Sequence, residues 1–432
     1  MTLTAPAGAA GSLPALDAEL EAIVTARDRP LASLSVLAIR GGRIVYHRQF
    51  GHRWIDAEDP GRSRRAEAKT MYRIASISKL VTALGAMKMV EQGKLALDAD
   101  IGTYLGHEVR NPHFPGTAIT LRMLLSHTSS LRDDGGYTWP AGAEMREVLL
   151  PGGKLHGTGL MWSDRAPPGR HFAYCNLNSG VVATIMEKAS GERFDRLMRR
   201  LVLEPLGLGG GFNPAEMPRA DVADIATLYR KAPSDAGPWN PAGPWIAQVD
   251  DYSREAPADR AAPGYAIGSN GALFGPQGNL RASVADLGRV MLMLMNRGEL
   301  DGVQVFRRET IDTMLSREWT HQGSNGESTY GTRRERFNAW GLGVQHFLDV
   351  SGPGSGDRLV EGGAFRGLGH HGDAYGLHGA FAFDPRRRDG IVYLAGGTGF
   401  DPRSDRGTYS GLNRYEERIL TAVHRHALRS DD

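Results

Sequence analysis

Only one cysteine, Cys175, occurs in 432 residues, which excludes an intrachain disulfide and any zinc cluster built on several thiolates. No apolar run reaches the roughly eighteen residues that cross a bilayer, so no membrane span is expected. Neither sign of charge prevails: 51 Lys plus Arg stand against 49 Asp plus Glu, a net charge of +2. That balance lacks the basic field with which proteins capture phosphates, so nucleic acid is excluded as a partner, and a small, largely uncharged substrate fits better than an anionic polymer. Residues 1–12 have no basic segment followed by an apolar core. They predict a disordered lead-in and, as the chain stands, a cytoplasmic protein, periplasmic or secreted only where a leader has been removed. There is no three-residue glycine period, no G-x-S-x-G and no phosphate-binding loop, which argues against collagen, a nucleophile-elbow hydrolase and a P-loop enzyme.

Glycine is what the chain has in excess. Its 56 glycines are nearly twice the usual share of about 7%, and with 23 prolines they predict a loop-rich globular enzyme. Residues 33–50 read as a hairpin about Gly41-Gly42, and helices are expected near 16–26, from Ser76 for about four turns, and over 120–127, 178–188, 194–203, 286–296 and 412–426. Strands are expected at 379–384 and 391–395. The segments 132–170, 210–264 and 319–360 read as loops. The aromatics Trp239, Trp245 and Tyr252 within the second suggest a pocket wall or packing over the core. The expected fold is α+β: an antiparallel sheet flanked by helices and built from both ends of the chain, with a mostly helical domain inserted. The expected units are 1–95 with 265–432 for the sheet domain and 96–264 for the helical insert, in one catalytic unit.

Three stretches can carry chemistry. Ser76-Ile77-Ser78-Lys79 puts serine and lysine three apart at a helix start, so the lysine nitrogen reaches the Ser76 hydroxyl. A serine is a poor nucleophile until a base takes its proton, and the helix start adds an N–H and a positive dipole for an oxyanion. The four-residue pattern also fits a plain N-cap serine. Tyr174-Cys175-Asn176 offers a phenol as base and an amide to hold a carbonyl and the lysine, or else a core tyrosine with an Asn cap; Cys175 reads as a small buried spacer. In His370-His371-Gly372-Asp373, glycine permits close backbone approach, the Asp373 N–H can complete an oxyanion hole, and His370 can bind a carbonyl or carboxylate. Gly367-x-Gly369-x-x-Gly372 matches a dinucleotide fingerprint in letters, but a strand and not a helix follows it. A zinc site on His370, His371 and His378 lacks any supporting ligand motif, so no metal and no cofactor is expected.

In order and surroundings the three stretches resemble the serine hydrolases related to class C β-lactamases, penicillin-binding proteins, D-aminopeptidases and family VIII esterases. The resemblance is carried by MYRIASISKLVTALGAMKMVEQGKLALDADIGTYL, ITLRMLLSHTSSL, PPGRHFAYCNLNSGVVATIMEKASGERF, EPLGL, GALFGPQGNLRASVADLGRVML and GHHGDAYGLHGAFAFDP, and extends from about Ser33 onward. It implies that Ser76 is acylated, that Lys79 assists its deprotonation, and that Tyr174 shuttles protons and activates the deacylating water. It also implies that Asn176 ends the Y-x-N element, that His370-His371-Gly372 stands where the family has K-T-G, and that Asp373 gives an oxyanion N–H. Two departures stand out. His370 replaces a lysine, which weakens the attraction for a penicillin carboxylate, and the insert from Phe274 to Asn279 alters the pocket edge.

The expected function is therefore a cofactor-free serine hydrolase working through an acyl-enzyme on Ser76, a carboxylesterase on small to medium esters. A D-aminopeptidase, amidase or weak β-lactamase is the alternative of the same chemistry. A non-catalytic penicillin-binding-like or regulatory binding protein is the alternative of another class, disfavoured because Ser76, Lys79 and Tyr174 are all present.

Overall fold

The computed structural model describes residues 13–232, 237–261, 263–330 and 334–429; the predicted lead-in at 1–12 lies outside them. Gly41 and Gly42, at φ +56° and +80°, make the turn of the predicted hairpin, a conformation that matches the twist of its strands. The hairpin belongs to an antiparallel sheet of nine strands: β1 (Ser33–Arg40), β2 (Arg43–Trp54), β3 (Arg64–Arg65), β4 (Trp319–Thr320), β5 (Ala339–Trp340), β6 (Gln345–Phe347), β7 (Gly367–Ala374), β8 (Leu377–Asp384) and β9 (Asp389–Ala395). Their spatial order is β4-β5-β6-β7-β8-β9-β1-β2-β3. The sheet is thus built from both ends of the chain, with Leu34 of β1 opposite Ala395 of β9.

β1 reads SLSVLAIR and is buried on both faces, and its alternation divides two cores. Leu34, Val36 and Ala38 pack with Leu16 and Leu20 of α1 (Pro14–Val24) and with residues 419, 420 and 423 of the C-terminal helix. Leu37 and Ile39 face the other way, toward α2 (Ser78–Glu91), α3 (Leu177–Ser190) and α4 (Val284–Met295). The C-terminal helix, α5 (Arg414–Val423), completes a helix–sheet–helix sandwich. α2 is buried almost all round, as a helix apolar on every side must be.

The structure departs from expectation where strands are short. The predicted loop 210–264 contains strands Leu228–Lys231 and Trp245–Val249, which join Gly397–Thr398 in a second sheet. The predicted loop 319–360 supplies β4, β5 and β6. Runs of two to five residues show no usable periodicity.

Candidate active site

Ser76 sits in a tight turn between a two-residue strand, Tyr72–Arg73, and α2. Ala75, before it, is held at φ +47°, a left-handed conformation that costs an L-residue of order 1–2 kcal/mol and persists only where surroundings impose it. They do so here: the Ile74 N–H donates to the Leu280 carbonyl at 2.9 Å, and the Leu280 N–H donates to Ser78 Oγ at 3.2 Å. Ser76 alone among residues 71–87 is not buried, so the turn lifts one hydroxyl out of the core.

One helical turn on, Lys79 Nζ lies 3.0 Å from Ser76 Oγ, 2.7 Å from Asn176 Oδ1 and 2.9 Å from the Gln277 carbonyl. Three acceptors match the three N–H donors of an ammonium. The nitrogen also stands 4.9 Å from the Tyr174 ring centroid, within cation–π range. Tyr174 is buried, stacked on Phe337 at 5.0 Å and flanked by His127, Tyr330 and Trp340. Ser76, Lys79, Tyr174 and Asn176, predicted from motifs 95 residues apart and more, are brought to one place.

Asn176 stands at the start of α3 and is fixed by a residue the sequence reading passed over. The Asp133 carboxylate accepts from the N–H groups of Asn176 and Leu177, from Asn176 Nδ2, from the Tyr330 hydroxyl and from Cys175 Sγ. It thereby caps α3 and turns the Asn176 carbonyl oxygen to Lys79. Burial first, and then Asp133, push the Tyr330 phenol far above its ordinary value, so it stays a donor. Burial likewise raises the Cys175 thiol, which agrees with a buried spacer and not a nucleophile.

The insert from Phe274 to Asn279, unusual in sequence, is bolted to α2 and the strand before it. Its Gln277 carbonyl accepts from Lys79, its Pro276 carbonyl accepts from Thr82 at 2.9 Å, and its Asn279 Oδ1 accepts from Arg73 at 3.2 Å. Beneath lies an ion cluster that no motif announces: Asp250 is gripped by both Arg73 and Arg281, at 2.8 and 2.6 Å. Burial alone would raise the Asp250 carboxyl, yet the two guanidiniums outweigh it and hold it well below the usual range.

β7 runs past the serine turn. A Cβ on Gly372 would stand 2.6 Å from the Ile74 carbonyl oxygen, so only glycine lets strand and turn approach this closely. The two predicted histidines do not reach the substrate space. His370 faces Lys79 and Tyr174 but is 2% exposed, wedged against Trp340 at 5.3 Å. Burial and the nearby Lys79 push it well below the ordinary histidine value. Its Nδ1 pairs with the His371 carbonyl at 2.7 Å, and among the described residues its Nε2 has no hydrogen-bond partner. His371 points to the opposite face of the sheet, onto Phe347 at 5.1 Å, because neighbouring residues of a strand alternate. Burial lowers its pKa to about 3. His378 also faces away, 3.7 Å from Glu416, so the three histidines do not converge.

Ser76 opens into a cavity of about 240 Å³ bounded by Asn176, Gln277, Asp373 and Ala374, with Tyr137, Trp139, Tyr330 and Tyr375 as aromatic walls. That is below the roughly 300–1,000 Å³ of sites for drug-sized ligands. The aromatics expected to form its wall are elsewhere: Trp245 covers Lys231, Trp239 covers Arg230, and Tyr252 donates to Asp250. Among the described residues of segment 210–264, only Arg260 lines this cavity.

The whole fold is shared with a class C beta-lactamase of known structure, TM-score 0.61 at 14% identity over 97% of this chain and 96% of that one. It is shared too with EstCE1, a hydrolase with promiscuous acyltransferase activity, TM-score 0.58 at 20% identity over 95% and 98%. At such identities the likeness establishes the fold. The family described as Beta-lactamase matches residues 16–413, and the chain belongs to that family of serine hydrolases. Among curated relatives, the D-alanyl-D-alanine-carboxypeptidase/endopeptidase AmpH of Escherichia coli (strain K12) is 31% identical over 183 residues, 40% of this chain and 43% of AmpH. The chain thus spans less than half the length of the curated relatives it matches.

Proposed function

We propose that the protein is a carboxylesterase for small to medium esters, acting through an acyl-enzyme on Ser76. The observation that carries this reading is the hydrogen-bonded set Ser76–Lys79–Asn176 beside Tyr174, at the mouth of one small cavity. Ser76 Oγ attacks the ester carbonyl carbon. Tyr174, acting as a phenolate beside the Lys79 ammonium, takes the Ser76 proton and gives it to the leaving alkoxide oxygen as the C–O bond breaks. Water then attacks the acyl-enzyme, Tyr174 takes the water proton, and the proton returned to Ser76 Oγ frees the carboxylic acid. The N–H groups of Ser76 and Asp373 stabilise the tetrahedral oxyanion in both steps. The aromatic walls of the cavity support an ester with an apolar acyl or alcohol group.

The likeness to AmpH favours a second reading of the same chemistry, cleavage of a D-amino-acid amide or peptide. A panel of p-nitrophenyl butyrate, D-amino-acid amides and nitrocefin separates them, with the ester expected to have the highest kcat/KM. Fluorophosphonate labelling followed by peptide mass spectrometry is expected to mark Ser76, and Ser76→Ala is expected to abolish turnover. Unchanged turnover in that variant would show the proposal to be wrong.

A further inference from the structure

The protein is close to neutral as a whole, but the cavity beside Ser76 is not. Arg73 and Arg260 line it, and Arg281 joins Arg73 on Asp250. The carboxylate of this group is Asp250, and it is fully engaged: Arg73 and Arg281 each grip both of its oxygens, and Tyr252 donates to it at 3.0 Å. Three cations therefore share one anion. Asp259, next to Arg260 in sequence, turns to Asn213 and Arg193. Asp373 borders the cavity through its main chain, while its position on β7, opposite His378, puts its side chain on the far face of the sheet with Glu416 and Tyr393.

Arg260 is the unmatched member. Among the described residues its one hydrogen bond is a long 3.4 Å contact to the Leu273 carbonyl, and it takes part in no ion pair. Desolvation, Arg281 and Arg73 lower its pKa and outweigh the opposite pull of Asp250, although the residue as a whole is exposed. A guanidinium offers a planar fork of donors that suits a carboxylate. Asn279, already bonded to Arg73, borders the same end of the cavity, while Tyr375 covers the Arg73 guanidinium at 5.2 Å.

We propose that Arg260, backed by Arg73, forms a carboxylate subsite, so that the preferred substrates are small esters carrying a second, anionic carboxylate, such as half-esters of dicarboxylic acids. This inference rests on the acyl-enzyme reading for its kinetic form, and the test keeps the two apart. The kcat/KM for monomethyl adipate is compared with that for methyl hexanoate, a neutral ester of similar length, in wild type, Arg260→Gln and Arg260→Lys. The ratio is expected to exceed about 10 in wild type at low salt, to drop at least fivefold in Arg260→Gln and with added salt, and to be largely restored in Arg260→Lys. A wild-type ratio of one or less, or a ratio unmoved by Arg260→Gln, overturns the subsite. If wild type turns over neither ester, the acyl-enzyme reading has failed, and calorimetric binding of adipate decides the subsite alone. Tenfold weaker binding in Arg260→Gln then upholds it, and equal binding or none refutes it.

Discussion

Replacing Gly372 by alanine puts a methyl group between β7 and the turn that carries Ser76. The new Cβ would meet the Ile74 carbonyl oxygen at 2.6 Å, whereas ordinary contacts begin near 3.4 Å. Strand and turn must separate by about 0.8 Å, because the obstacle is backbone and cannot rotate aside as a side chain would. The N–H of Asp373 follows directly in the chain, so one half of the proposed oxyanion hole moves with the strand. Misplacing a reacting group by about 1 Å costs roughly 10²-fold, and losing one oxyanion donor costs about 10²–10³-fold. We therefore expect Gly372→Ala to lower kcat for p-nitrophenyl butyrate some 30- to 100-fold with little change in KM. The overpacking itself should destabilise by only about 1–3 kcal/mol, read from urea unfolding. Stopped-flow kinetics should show acylation and deacylation both slowed, since the oxyanion forms in each. A folded variant that retained kcat within threefold of wild type would refute the reasoning.

The remaining expectations concern the groups around this turn. Asp250→Ala leaves Arg73 and Arg281 buried without their anion, which should cost about 3–5 kcal/mol of unfolding free energy, measurable by urea titration. Asp133→Ala removes the acceptor of five donors; it should lower the melting temperature and reduce kcat at least tenfold through a misplaced Asn176, with Asp133→Asn milder on both counts. Burial lowers the pKa of His346 to about 4 and of His371 to about 3, and lowers those of His127 and His370 as well. In the unfolded chain all four titrate near 6.5, so the unfolded state binds more protons below that pH. Stability is complete above about pH 7 and falls as the pH drops, by about 2 kcal/mol for each of His346 and His371 between pH 7 and pH 5, with His127 and His370 adding in the same direction. Urea midpoints that do not change over that interval would contradict this.

The legible part of the site was the part written in side chains at fixed local spacing. Ser76 and Lys79 share a helix face, and Tyr174 and Asn176 are separated by one residue at a helix start, so pattern and geometry coincide. Gln277 escaped because it acts through its carbonyl, to which side-chain identity contributes nothing. Asp133, in a run of Asp and Gly, looked like ordinary turn chemistry until its five donors were assembled from 175–177 and 330. His370 and His371 are one motif in sequence but not one surface, because a strand sends consecutive side chains to opposite faces. In the fold, long periodic helices and the glycine-turned hairpin were plain. The two-residue strands and the second sheet were not: a pair as short as Trp319–Thr320 with Ala339–Trp340 has no periodicity to read, and Gly397–Thr398 joins Tyr229–Arg230 from more than a hundred residues away.

The place of β1 in the sheet also dictates an order of events during synthesis. β1 and β2 emerge from the ribosome as a ready hairpin, but β1 is an interior strand whose other edge awaits β9, near residue 395. Until then an apolar strand is held with one row of N–H and C=O groups unpaired and both faces uncovered, the condition under which chains stick to one another. The sheet can close only after residue 395 has been translated, so the large sequence separation of this pairing should make folding slow. It also follows that joining β9 to β1 by a short linker, and opening the chain at an exposed loop elsewhere, should hasten folding of the same architecture.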